Sequence, residues 1–173
     1  MLQEVSLTGV ERTFEPNEII VSKTDRKGKI TYANPVFVRV SQYTEDELLG
    51  APHNIVRHPH MPRCVFKLLW DTIAAGQEIF AYVLNRAKSG DHYWVFAHVT
   101  PTFDSENHII GYHSSRRVAD RSALAKIEPI YRLLLEEEQK HASPREAMAA
   151  ATSLLLNYVS NRNMSYEQFV FTL

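Results

Sequence analysis

The sequence contains a single cysteine, Cys64, among 173 residues. One cysteine cannot form an internal disulfide or a multi-cysteine metal site, and such scarcity is typical of proteins from a reducing compartment. Net charge is also nearly absent, with a formal value of -1 at pH 7. Because the chain carries no broad basic field, we do not expect sequence-independent binding to nucleic acid or to an anionic membrane surface.

Long hydrophobic runs are missing as well. The longest apolar stretch, near residues 147–156, is far shorter than the roughly 20 residues that a membrane-spanning helix requires. The first residues lack the basic and apolar segments of an export signal. We therefore expect a cytoplasmic protein that does not itself insert into the membrane.

Motifs of common enzyme classes are absent too. No two of the six glycines are close enough for a dinucleotide-binding or phosphate-binding loop, and no G-x-S-x-G motif occurs. Cys64 follows Pro62 at the start of an apolar helical pattern, and we interpret it as a buried packing residue. The sequence thus predicts a protein that is not an enzyme.

The chain does have the periodicities of an α+β fold. A β-branched run at 19–24, the turn residues Asp25-Arg26-Lys27-Gly28 and a return at 29–33 predict a hairpin. Two brief helices follow, and then a longer helix whose apolar residues recur at spacings of three and four. Aromatic and β-branched segments at 79–86, 92–102 and 108–118 predict three more strands. This order predicts a five-stranded antiparallel sheet with short helices on one face.

Helical patterns dominate after residue 120. We divide the chain into an N-terminal cap or arm at 1–17, a central domain at 18–119 and a C-terminal helical extension at 120–173. Pro129 is expected to kink or restart the first helix of the extension, and Ser143-Pro144-Arg145-Glu146 to begin the next. The extension should dock on the sheet, on a second copy of the chain or on another protein, because alone it would expose several large apolar residues: Leu154, Leu155, Tyr158, Phe169 and Val170.

The segment 52–70, PHNIVRHPHMPRCVFKLLW, is the strongest candidate for a binding site. Arg57 offers a fork of hydrogen-bond donors suited to phosphate, and His53, His58 and His60 lie in the same short loop. Phe66 and Trp70 belong to the apolar face of the helix that follows. The segment therefore places an anion-attracting cluster directly before an apolar helix.

Several segments together resemble a known family. The stretches TDRKGKITYANPVFVRVSQYTEDELLG, APHNIVRHPHMPR, NRAKSGDHYWVFAHVTP and IIGYHSSRR resemble the PAS domains of bacterial aerotaxis and energy-taxis receptors, over about residues 19–140. The resemblance implies a PAS fold that binds FAD and senses redox state. Because the chain has no membrane span or long signalling coiled coil, it is similar to the free-standing PAS component of a two-protein system. Its implied partner is a membrane-bound chemotaxis transducer, which would recruit it to the inner face of the membrane.

The resemblance also implies roles for individual residues. In the family the isoalloxazine ring lies between the central helix and the sheet, where Trp70 matches an aromatic neighbour and Asn85 matches an amide that bonds the reactive edge. Further matches are Arg57 and His58 as loop residues that hold FAD, His53 in the same motif, and Asn34 after the second strand. One position departs from the pattern, since His60 stands where many relatives have aspartate.

The residues themselves are compatible with a flavin site. A flavin needs a large apolar slot with a few polar groups at its edge. An amide side chain such as that of Asn85 can donate or accept by rotating, which would couple flavin reduction to a strand of the sheet and so to its outer surface or to the N-terminal arm. We expect the slot to be lined, beside Asn85, by Phe66, Trp70, Val83, Trp94 and Phe96.

Other interpretations remain open at this point. Without the resemblance, Trp70 is more typical of a plain core than of a cofactor wall, Asn85 of a strand end, and Arg57 of an ion pair with a nearby carboxylate. The histidines lack helix spacing or a second ligand cluster for a metal, whereas haem would need only one axial histidine. The alternatives to a flavin sensor are thus a haem-binding PAS gas sensor and a cofactor-free PAS adaptor. A homodimer is a further candidate assembly of the protein.

Overall fold

The computed structural model describes residues 5–173, and within them five strands, six α-helices and one 3-10 helix, His53–Val56. The predicted α+β fold is confirmed, and each expected strand lies within two residues of its expected bounds. In chain order the elements are β1 Ile20–Asp25, β2 Ile30–Ala33, α1 Pro35–Ser41, α2 Glu45–Leu48, α3 Arg63–Ala74, β3 Ile79–Arg86, β4 His92–Phe103, β5 Ile109–Val118, α4 Arg121–Gln139, α5 Pro144–Ser160 and α6 Tyr166–Val170.

The five strands form one antiparallel sheet in the order β2-β1-β5-β4-β3. The last strand of the chain therefore lies at the centre and joins the N-terminal hairpin to the β3-β4 pair. The free edge of β3 is covered by the loop before α3, because Arg57 forms a β-bridge with Asn85 and the Met61 sulfur accepts from the Leu84 N–H at 3.4 Å. These two contacts fix the loop against the edge of β3.

Alternation along β4 defines two faces of the sheet. Tyr93, Val95, Ala97 and Val99 are buried on the inner face, beneath α3. The residues that alternate with them point to the outer face, and these are Trp94, Phe96 and His98. Our expectation that Trp94 and Phe96 line the slot is therefore wrong, because a period of two gives them the opposite phase from Val83, which pairs with Val95.

Helix α3 buries Cys64, Val65, Leu69 and Ile73 on one face. Its N-cap position is Pro62, which provides no side-chain hydrogen bond. The free N–H of Cys64 instead donates to the Glu138 carboxylate at 2.9 Å. Cys64 is fully buried, which confirms the expected packing residue, and burial, with Glu138 second, raises the pKa of its thiol to about 12.

The C-terminal extension packs back onto this body of the protein. The Tyr131 hydroxyl of α4 donates to the Tyr82 carbonyl at 2.6 Å, and the Phe171 ring lies 4.8 Å from that of Phe80 on the outer face. Helix α5 packs against both α3 and α4. The C-terminal extension therefore docks on the sheet of its own chain, and through α5 also on α3.

Helix α4 is continuous through Pro129, so the expected restart of the helix there is wrong. Pro129 is exposed, and the backbone carbonyl that loses its intrahelical partner is therefore on the side of the helix nearest water. Burial of Leu124, Ile127, Tyr131 and Leu134 on the opposite side outweighs the loss of one hydrogen bond.

The Glu138 contact leads to a prediction about stability. Replacing Glu138 with alanine leaves the N-terminus of α3 without a side-chain cap, and N-cap deletions cost about 1 kcal/mol. We expect Glu138→Ala to lower the free energy of unfolding by that amount in urea titrations. Glu137→Ala is the control, since the side-chain partners of Glu137 among residues 5–173 are Lys140 and His141, which directly follow α4. Equal losses in the two variants would contradict the capping role.

Candidate functional site

A cavity of about 650 Å³ separates α3 from the inner face of the sheet. Its walls are largely apolar and are formed by α3, β3, β4 and β5. A volume of this size is well above that of ordinary packing voids and lies in the range of small-molecule sites. The apolar residues that line it include Val56, Phe66, Leu69, Ile73, Val83 and Val99.

A basic rim borders the cavity on the side of the loop before α3. Arg57 is half-buried, and its guanidinium lies 5.1 Å from the centre of the Phe66 ring. Burial, with the neighbouring Arg63, lowers the pKa of Arg57. Stacking uses the face of the guanidinium and leaves the N–H donors in its plane for an acceptor. Lys27, Arg63 and Lys67 complete the basic rim.

Trp70 closes one end of the cavity. Its ring meets that of Tyr112 edge to face at 5.5 Å, and 37% of the residue is exposed. The turn of the β1-β2 hairpin approaches it closely, because a Cβ on Gly28 would lie 2.9 Å from the Trp70 ring. Gly28 also has a φ of +78°, so glycine is required there by both backbone and space.

Asn85 lies deep in the cavity, near the end of β3. It is 4% exposed and sits on the inner face, opposite Tyr93 of β4. Its backbone forms the bridge with Arg57. The amide is therefore a buried polar group that can donate or accept a hydrogen bond on an otherwise apolar wall.

A polar cluster of Ser22, His53 and Arg116 lies at the sheet side of the cavity. Arg116 Nη2 donates to Ser22 Oγ at 2.7 Å, and Ser22 Oγ lies 3.0 Å from His53 Nε2. Both contacts are satisfied when the Ser22 hydroxyl donates to a neutral His53. Burial, and secondarily the charge of Arg116, lower the pKa of His53 to about 3. The imidazole is therefore neutral at pH 7.

The structure brings five of the seven expected site residues to the cavity: His53, Arg57, Phe66, Trp70 and Asn85. Asn34 lies elsewhere. Its side chain accepts from the N–H groups of Val21 and Phe37, both at 3.0 Å, and donates to the Ile19 carbonyl at 2.8 Å. Asn34 thus caps α1 and ties it to β1, so its place in the structure is a helix cap and not the cavity wall.

His58 is the second expected residue that does not line the cavity. It is 5% exposed, and its Nδ1 accepts from the His60 N–H at 3.1 Å. The ring faces a separate cleft beside His92, with 6.2 Å between ring centres. Alternation of neighbouring residues in the loop explains this, since Arg57 turns toward α3 and His58 away from it.

The cavity is also lined by polar residues that the motif did not indicate, among them Ser22, Tyr112 and Arg116. The signal for Arg116 lies in strand phase. In the β5 sequence, Tyr112, Ser114 and Arg116 alternate with His113, Ser115 and the exposed Arg117. A charge on the inward phase of a central strand is unusual, and that alternation could have identified it.

Two further properties bear on function. Among residues 5–173, no group of three or more histidine, cysteine, aspartate or glutamate side chains is placed to hold a metal ion. Within the same part of the chain, no helix is both long and apolar enough to cross a bilayer.

The fold and cavity agree with comparisons against known proteins. A family model described as PAS fold matches residues 30–116. The chain is 46% identical to the aerotaxis receptor of Escherichia coli (strain K12) over 115 residues, which cover 66% of this chain and 22% of that receptor. It is 28% identical to a nitrogen fixation regulatory protein of Klebsiella pneumoniae, over 60% of this chain and 21% of that protein. This chain belongs to the PAS-fold family.

Solved structures support the fold independently of sequence. The dark structure of the Aureochrome1 light-oxygen-voltage domain superposes with a TM-score of 0.54 at 23% identity, covering 69% of this chain and 84% of that one. A light-oxygen-voltage domain studied with a flavin analogue gives 0.56 at 19% identity, covering 64% of this chain and 84% of that one. Since the chain spans about a fifth of the length of the curated relatives above, what those whole proteins do is not transferred with the fold.

The buried histidine of the second cleft predicts how stability depends on pH. Burial, and then the charges of His60 and His92, lower the pKa of His58 from 6.5 to about 4. Between these values the unfolded chain binds more protons than the folded one, so acidification destabilises the fold. The expected contribution of His58 is up to about 1.4 kcal/mol per pH unit.

We expect His58→Gln to flatten the decline in unfolding free energy between pH 6.5 and 4, as measured by urea titration at several pH values. His108→Gln serves as the control, because that side chain is 68% exposed. His53, with its lowered pKa, retains its own slope in both variants. An unchanged slope in His58→Gln would show that His58 is charged in the folded protein.

Proposed function

We propose that this protein binds FAD in the cavity between α3 and the sheet and acts as a redox sensor. The observation that carries the proposal is the composition of the cavity. Apolar walls suit an isoalloxazine ring, and Asn85 supplies a buried hydrogen-bonding group on one wall. The 46% identity to an aerotaxis receptor supports the same assignment. When bound, FAD supplies a ring that can be reduced and reoxidised reversibly.

The basic rim favours a dinucleotide over a simpler flavin. Arg57 and Arg63 flank the opening of the cavity on the loop side, and Lys27 and Lys67 lie on the facing hairpin and helix. FAD carries a diphosphate, and paired phosphates are bound well by several arginine and lysine donors. In this proposal Trp70 and Phe66 contact the ring, while Arg57 binds the diphosphate.

A route from the cavity to the protein surface begins at Asn85. A change in the hydrogen bonds of its amide acts on β3, whose Tyr82 carbonyl accepts from Tyr131 of α4. On the same strand Phe80 contacts the Phe171 ring. The C-terminal extension therefore rests on the strand that carries the amide, and we add it to the outer face and the N-terminal arm as a surface that transmits the signal.

In this proposal residues 18–119 are the sensor and residues 120–173 are part of its output surface. The protein performs no catalysis of its own. It acts in the cytoplasm by contact with a membrane-bound chemotaxis transducer that lacks a sensor domain. Aerotaxis or energy taxis is the response that this arrangement would serve.

The visible spectrum of the freshly purified protein tests the cofactor. We expect the yellow absorption of an oxidised flavin, which acid extraction should release as FAD. A Soret band would instead identify haem, for which His53 is the histidine that lines the cavity among the described residues. A colourless protein that takes up neither group would contradict the proposal and favour a cofactor-free adaptor.

Matched substitutions test the location of the cofactor. We expect Trp70→Leu and Arg57→Gln to raise the dissociation constant of FAD at least tenfold, because each removes a contact worth about 1.5 kcal/mol or more. The controls are Trp94→Leu, on the outer face, and Arg117→Gln, which is exposed. If Trp70→Leu and Arg57→Gln have native circular dichroism and bind FAD as tightly as the wild type, the cofactor lies outside this cavity.

Affinity purification tests the partner. The tagged protein should recover a membrane-bound chemotaxis transducer from detergent-solubilised cells of its source, and the amount recovered should differ between oxidised and dithionite-reduced samples. Trp70→Leu, depleted of flavin, is the control and should show no such redox difference. Recovery that is equal in both redox states would contradict signalling by this contact, and sedimentation of the pure protein would reveal a homodimer.

A further inference from the structure

Arg116 is a buried cation without a counter-ion in its own cluster. It is 2% exposed, and its guanidinium Nη2 donates to the hydroxyl of Ser22, which is uncharged. The guanidinium also lies 4.5 Å from the centre of the Phe37 ring. Neither group neutralises a full charge, and burial of an unpaired ion is costly. Such a group is retained in a protein when something else offsets the cost.

The hydrogen-bond donors of Arg116 are also incompletely used. Nε and Nη1 are buried and have no partner among the described residues, although a guanidinium has five N–H donors. Buried donors without acceptors are rare in folded proteins. Arg116 is among the residues that line the cavity, so a molecule bound there would lie close to its charge.

Neighbouring titratable groups do not supply the missing negative charge. Arg116 itself lowers the pKa of His53, which is neutral. Burial raises the pKa of Tyr93, so its phenol is neutral as well. Although burial lowers the pKa of Arg116 to about 10, the guanidinium remains protonated at pH 7.

We propose that Arg116 is the buried anchor for the electronegative edge of the molecule that fills the cavity and that, with flavin, it favours the reduced and negatively charged ring. The inference rests on the proposed function and assigns Arg116 a part in setting the reduction potential. Two electrons from a donor such as dithionite and one proton from water convert the neutral oxidised ring into a ring with one negative charge. That charge, absent from the oxidised ring, is what a buried guanidinium stabilises selectively.

Arg116 and Arg57 would then have different roles. Arg57 is half-buried at the basic rim and stacks on Phe66, as suits a group that binds a solvated phosphate. Arg116 is almost fully buried beside Ser22 and His53. Loss of Arg57 should weaken binding of both redox states equally, whereas loss of Arg116 should weaken binding of the reduced state more.

The first test measures flavin-free protein, so that its result does not depend on the cofactor. Arg116→Gln removes the charge and keeps a donor for Ser22. We expect its thermal midpoint to equal or exceed that of the wild type, because the variant no longer buries an unpaired ion. Arg117→Gln, on the opposite face of the same strand, should leave the midpoint unchanged. A lower midpoint for Arg116→Gln than for Arg117→Gln would mean that Arg116 serves the fold, and would overturn the proposal.

The second test measures FAD binding and the reduction potential of the same proteins against a reference dye. For Arg116→Gln we expect the dissociation constant of FAD to rise at least tenfold and the potential to become more negative. Arg116→Lys keeps the charge but loses the fork, and should lie between Arg116→Gln and the wild type in both quantities. Arg117→Gln should match the wild type, and Arg57→Gln should bind weakly without a change of potential.

The two proposals fail in different ways. If the wild type binds no FAD, the proposed function fails, and the thermal midpoints still decide whether Arg116 is an unsatisfied ligand anchor or a structural residue. If FAD binds and Arg116→Gln retains the wild-type affinity and potential, the flavin site stands and the role of Arg116 is overturned.

Discussion

The structure depends on α3 being held away from the sheet. Protein interiors are normally close-packed, yet about 650 Å³ lies between this helix and the inner face. Helix α3 packs against α5 and also contacts β3 and β4, and two further contacts lie toward its ends. At its N-terminus Glu138 caps Cys64, and toward its other end Trp70 meets Gly28 and Tyr112. The helix is thereby held over the cavity, and the space between it and the sheet stays open.

The elements that support α3 come from distant parts of the sequence. The β1-β2 hairpin supplies Gly28, the loop 57–61 covers the edge of β3, and the C-terminal extension contributes Glu138 and the cavity-lining Met148. The extension is therefore in contact with both the helix and the sheet that enclose the cavity. In the proposed sensor, filling the cavity or changing the charge within it would act on all three supports through packed contacts.

Much of this arrangement could be predicted from the sequence, because its signals are local. The turn at Gly28, the apolar spacing of α3 and the strand-length segments after Gly76 each depend on short-range preferences. The resemblance to PAS domains implied one site that contains Arg57, Trp70 and Asn85, and these three residues line one cavity. Arg57 lies in the loop before α3, Trp70 in α3 and Asn85 in β3. The order of these elements along the chain is enough to place α3 over the sheet.

The wrong expectations share one cause, which is the direction in which each side chain points. Trp94 and Phe96 were assigned to the slot by residue type, although pairing of β3 with β4 puts them on the outer face. Asn34 caps α1 through its side chain, a local use of asparagine that competes with any ligand role. His58 points away from Arg57, into the second cleft. Arg116 was overlooked because its partners lie 63 and 94 residues earlier in the chain, at His53 and Ser22, and only the folded sheet brings them together.

A crystal structure of the protein grown with FAD tests the central claim most directly. The account predicts the isoalloxazine ring between α3 and the inner face, beside Trp70 and Asn85, with an acceptor atom of the ring within hydrogen-bond distance of Arg116. An α3 that has collapsed onto Val83 and Val99, with aliphatic side chains filling the cavity and Arg57 turned into solvent, would contradict it.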